Sequence, residues 1–115
     1  MGATRSGVLE VCGGLPATTD ERPFGPETAV AKVVGKVFAL VGLDEEPCTV
    51  TLKAAPPHAE ALVREHAWIT PGYHMNKKHW VTLTLGPEVP AQLVEDLIVN
   101  SYDLVVQGLP RAKRP

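Results

Sequence analysis

The stretch Pro71-Gly72-Tyr73-His74-Met75-Asn76-Lys77-Lys78-His79-Trp80 gathers two lysines, two histidines, an asparagine, a tyrosine and a tryptophan within ten residues, and no acid. Ammonium groups neutralise phosphate oxygens, aromatic rings stack on bases, and amide or imidazole nitrogens hydrogen-bond to polar edges. That mixture is the chemistry of nucleic-acid binding. The neighbourhood keeps the same sign: between Pro47 and Gly86 stand Lys53, Arg64, Lys77 and Lys78 against only Glu60 and Glu65. The acids concentrate elsewhere, at Asp44-Glu45-Glu46 and at Glu95, Asp96 and Asp103. A solvated face or a protein-binding surface accommodates the same residues, and Trp80 can equally anchor a core.

Catalytic signatures are absent from the sequence. It contains no GxSxG, Walker loop, GxGxxG or HExxH, and Gly13-Gly14 and Gly86 lack a phosphate-loop context. Glu45 and Glu46 sit in an acidic turn, where carboxylates are ordinarily solvated. His58 and His66 are eight residues apart, about two turns on one predicted helix, and His74 and His79 flank the end of a connector. No two of them have the fixed convergence that a metal ion requires. Cys12 and Cys48 are far apart without a CxxC, which reads as two buried thiols. The expectation is a protein without catalytic residues, metal or cofactor.

Lysines and aromatics need a scaffold, and proline and glycine mark its joints. The pattern predicts a helix from about Ser6 to Cys12, ended by Gly13-Gly14. A proline-rich loop follows from Leu15 to Pro26, with Phe24 as its anchor to the core. Strands are predicted at Ala29–Val34 and Lys36–Leu43, either side of Gly35. Cys48 to Lys53 alternates strictly, with Cys48, Val50 and Leu52 on one face and Thr49, Thr51 and Lys53 on the other. A helix opens at Pro56-Pro57 and runs to about His66, with Ala59, Leu62 and Val63 inward. The connector from Ala67 to Lys78 has one strand-like piece, Trp68-Ile69-Thr70. His79 to Leu85 alternates again, placing Trp80, Thr82 and Thr84 outward. The last helix, from near Pro90 to Gln107, carries the stripe Val94, Leu97, Ile98, Ser101, Tyr102 and Val105.

That order, α-β-β-β-α-(β)-β-α, is an α+β fold with an antiparallel sheet and helices packed on one face. Thr49, Thr51, Lys53, Trp80, Thr82 and Thr84 then share the open face, a flat ribbon of hydroxyls with one cation and one aromatic.

Composition sets the outer limits. The chain has 115 residues, 44% hydrophobic and 21% charged, with mean hydropathy +0.01, which fits a single domain over 1–115 ending in a basic tail at 109–115. Eleven cations against thirteen acids do not suggest a strongly basic binder. No signal-peptide pattern opens the chain and no apolar run reaches membrane-spanning length. A cytoplasmic protein, monomeric or weakly dimeric and away from membranes, is expected.

The sequence resembles the MmcQ/YjbR family of small bacterial proteins. The likeness is carried by residues 15–19, 23–26, 35–40 and 52–53, by the block 71–80, and by Ser101-Tyr102, in the family's order from about residue 8 to 106. One departure is Ala29-Val30-Ala31-Lys32, where the family often has an aromatic-containing strand. The resemblance implies a CyaY-like fold and a DNA-binding role, by likeness to the double-wing domain of a phage transcription factor. On that reading the partner is double-stranded DNA. Lys36, Lys53, Lys77 and Lys78 would meet phosphates, Tyr73 and Trp80 would stack or wedge, and Asn76 or His74 would hydrogen-bond. A protein-interaction or chaperone-like module is the first alternative. The second is a small-ligand pocket lined by Trp68, Tyr73, His74 and Trp80.

Overall fold

The computed structural model describes residues 2–72 and 76–115. The elements run α1 (Arg5–Gly14), β1 (Thr18–Glu21), β2 (Thr28–Val33), β3 (Lys36–Gly42), β4 (Thr49–Lys53), α2 (Pro56–Glu65), β5 (Ile69–Pro71), β6 (Trp80–Thr84) and α3 (Ala91–Gln107), with a short 3₁₀ turn at Arg111–Lys113. The strands form one antiparallel sheet in the order β1-β2-β3-β4-β6-β5. The expected α+β architecture is present, with one strand more than the pattern showed. Thr18–Glu21, read as loop, is a polar edge strand on β2.

Two other local readings need correction. Phe24 does not anchor its loop: it is 70% exposed. Val34 is not the end of a strand. With Gly35 it makes the two-residue turn between β2 and β3, at φ +49° and +78°.

Alternation decides which side of the sheet is dry. Cys48 just before β4, Val50 and Leu52 on it, and Val81 and Leu83 on β6 are buried in one core with Ala59 and Leu62 of α2 and the inner stripe of α3. The register Val50↔Leu83 and Leu52↔Val81 places those side chains on one face. α3 lies across β2, β3 and β4, α1 packs beside it, and α2 covers β5 and β6.

α3 buries the six positions predicted for it. One of them is a serine, and its hydroxyl joins three elements. Ser101 Oγ accepts the Lys53 N–H at 2.8 Å and donates to the Phe38 carbonyl at 2.6 Å. Tyr102 packs edge-on against Phe38 and donates its hydroxyl to the Pro16 carbonyl at 2.6 Å. Burial, with the Asp103 charge adding to it, raises the Tyr102 phenol above its ordinary pKa. α1 starts at Thr4, whose hydroxyl accepts the Gly7 N–H.

Candidate nucleic-acid interface

The sheet brings the separated lysines to one end. β3 begins at Lys36, and antiparallel pairing of Ala39 with Leu52 sets Lys53, the last residue of β4, at that same end. Lys53 pairs with Trp80, the first residue of β6, so Lys77 and Lys78 stand there too. The connector closes tightly: Ala54 N–H donates to the His79 carbonyl at 2.9 Å and Gly72 N–H to the Trp80 carbonyl at 2.8 Å. Gly72 is needed for that approach, because a Cβ there would lie 2.9 Å from the Trp80 carbonyl oxygen. α3 passes this level at Ser101 and continues about two turns to Gln107, where Arg114 turns back to bond the Gln107 and Leu109 carbonyls.

Five acids lie at the other end. Glu27 precedes β2, Asp44-Glu45-Glu46 joins β3 to β4, and Glu88 lies between β6 and α3. Arg5 reaches into this cluster, bonding the Glu46 carboxylate at 2.9 Å and the Gly42 carbonyl at 2.8 Å. Among the described residues the ion pairs are Arg5–Glu46, Arg22–Asp20 and Lys32–Glu21. None of them uses Lys36, Lys53, Lys77 or Lys78. Glu60 faces the groove that holds Lys77 and Lys78, an opening of about 440 Å³ between α2 and the connector, without pairing with either.

The second face of the sheet carries the predicted residues, but it is not open along its length: Thr51 and Thr82, expected outward, are buried, because each hydroxyl is packed against the other across the β4–β6 pair. Thr49 pairs with Thr84, Thr51 with Thr82 and Lys53 with Trp80, and the Thr51 and Thr82 hydroxyls bond at 3.0 Å. Register adds Thr70, Leu40 and Val30 to this side. Val30, Thr51 and Thr82 are buried and Leu40, Thr49 and Thr84 half-buried, so the accessible polar groups and the charge sit at the rim of this face.

Asn76 supports the connector through its side-chain oxygen, which accepts the Lys78 N–H at 2.9 Å. Among the described residues its amide nitrogen has no partner. Lys36, Asn76, Lys77 and Lys78 are exposed, and Lys53 and Trp80 are half-buried. Tyr73 and His74 lie outside the described residues. The alternative ligand pocket is not assembled as read: Trp68 and Trp80 stand at opposite ends of the β5–β6 ladder, and Trp68 stacks on His66 at 5.0 Å. Cys12 and Cys48 are buried free thiols, and burial pushes Cys12 up to about 11. Sequence reasoning placed Arg111, Lys113 and Arg114 only in a basic tail; in the structure Arg114 bonds the Gln107 and Leu109 carbonyls at the end of α3.

The YjbR family model matches residues 13–104. The chain belongs to the YjbR family. It is 32% identical to YjbR of Escherichia coli strain K12 over 111 residues, covering 96% of this chain and 94% of that one. It is 42% identical to YbdF of Escherichia coli O157:H7 over 89 residues, 77% of this chain and 73% of YbdF. A crystal structure of a Deinococcus radiodurans protein with a DUF419 domain superposes with a TM-score of 0.90 at 41% identity, covering 97% of this chain and 86% of that one. A Pseudomonas syringae protein gives 0.75 at 26% identity, covering 88% and 97%. These YjbR relatives carry names that specify no activity, so the likeness passes on family and fold.

Proposed function

We propose that this YjbR-family chain binds double-stranded DNA through the basic end of its sheet and the adjoining rim of its second face, without catalysing a reaction. The observation that carries this reading is the convergence of unpaired cations from separate segments. Lys36, Lys53, Lys77 and Lys78 reach one end of the sheet and, among the described residues, none of them is in an ion pair, while Glu27, Asp44, Glu45, Glu46 and Glu88 lie at the far end. Phosphate oxygens are the anions that such spaced ammonium groups match. Trp80 beside Lys53 supplies an apolar, stackable surface at the same rim. The near-neutral total charge means the attraction is local, so affinity is modest and depends steeply on salt. No direct reading of bases is assigned.

The test is fluorescence anisotropy with a short labelled duplex across a salt series. Each phosphate contact contributes about 0.9 to the slope of log affinity against log salt. The double variant Lys77→Ala/Lys78→Ala should lower that slope by roughly 1.8. A slope unchanged by the double variant removes both lysines from the interface. Absence of binding at low salt refutes the reading as a whole.

A further inference from the structure

We infer that Val34, at the tip of the β2–β3 hairpin, is an apolar contact that touches the groove wall of a bound duplex; this rests on the DNA-binding reading above. Two residues make the turn, and both have positive φ: Val34 at +49° and Gly35 at +78°. Such a turn favours Asn-Gly or Gly-Gly, because its first position is left-handed. A β-branched side chain there is a backbone outlier. Burial does not compensate for it, since Val34 is 41% exposed. The residue therefore costs the fold twice, through its backbone and through its exposed surface. Such strain is kept where it serves a site.

The placement supplies the partner. Lys36 follows the turn and is exposed, and the tip projects from the basic end of the sheet. Its base is firm: β2 and β3 pair along their length, and a bulge at Ala31/Lys32 adds local twist below the tip. A stiff ribbon ending in a branched apolar group beside a cation suits a DNA groove, where ammonium meets phosphate and the methyls meet sugar and base edges. Apolar contact of this kind releases no counterions. It adds affinity equally at all salt concentrations.

The experiment compares Val34→Asn, Val34→Gly and Val34→Ile with the unaltered chain, on the same duplex and salt series, with a thermal melt of each. Asn and Gly suit the turn, so both variants should melt higher, and both should bind about fivefold more weakly at every salt with an unchanged slope. Val34→Ile should bind as well as the unaltered chain, although it relieves no strain. A salt-dependent wild-type affinity that Val34→Asn and Val34→Gly both leave intact overturns the Val34 contact and leaves the DNA reading standing. A slope that falls with Val34→Asn overturns it too, because the contact would then be electrostatic. Failure of the unaltered chain to bind overturns both.

Discussion

Ser101→Ala tests whether the core and the basic rim are mechanically one object. The serine hydroxyl takes the Lys53 N–H and feeds the Phe38 carbonyl, so its removal leaves a buried donor and a buried acceptor without that partner. Each group left unsatisfied costs about 1–3 kcal/mol, and the carbonyl keeps a second lone pair for the ladder, which favours a total near 2–4 kcal/mol. An entropy of unfolding of about 2.1 cal/mol/K per residue, over 115 residues, converts each kcal/mol into about 4 °C of Tm. The expected drop is thus about 8–16 °C by differential scanning calorimetry. Native-state hydrogen exchange should show the Lys53 amide losing protection more than the amide of Val50, in mid-strand. DNA affinity should fall as well, because the end of β4 that presents Lys53 is loosened. A Tm drop below about 2 °C with the Lys53 amide still protected would refute the reasoning.

Gly72→Ala should lower the urea midpoint and shift Trp80 fluorescence, since its Cβ would press on the Trp80 backbone and overpacking of this kind costs about 1–3 kcal/mol; an unchanged midpoint would show that the two strands separate freely. Cys12 is held neutral in the fold up to about pH 11, whereas an unfolded thiol ionises near 9, so its contribution to stability is complete below pH 8 and is lost as pH climbs from 9 towards 11. Unfolding curves from pH 7 to 10.5 should show that loss, and Cys12→Ala should remove its share of it. Equal alkaline losses in both chains would discount the thiol. The hydrogen bond from Lys32 lowers the Glu21 carboxyl pKa, so that pair supports the β1 edge at neutral pH and is lost as pH falls through the lowered value. Glu21→Gln should therefore flatten the acid limb slightly and, by freeing Lys32, steepen the salt dependence of DNA binding; an unaltered salt slope would place Lys32 outside the interface.

The alternating segments were legible because their period matches the sheet. Thr49, Thr51 and Lys53 lie opposite Thr84, Thr82 and Trp80, as two independent alternations require. α3 was legible for the same reason at a period of 3.6. β1 was not, because Thr18–Glu21 is polar and pairs on one side only, so no apolar alternation marks it. Phe24 was misjudged since an aromatic between prolines has the composition of an anchor, and only the fold shows that nothing covers it. Trp68 and Trp80 are close in sequence and share a block of aromatics, yet strand pairing sends them to opposite ends. The cation cluster depends on where β3, β4 and β6 begin and end relative to one another, which is a property of register. Family resemblance supplied the fold before register could be known.

The separation of charge along the strands makes the molecule a dipole as well as a patch. In the field of a polyanion such a body turns before it touches, so that most encounters arrive with Lys53 and Lys77 leading and the Asp44-Glu45-Glu46 turn trailing. Once seated, it offers the solution an acidic back. On the proposed DNA-binding reading, a second duplex would be repelled from that surface, and the chain would decorate one DNA molecule rather than tie two together.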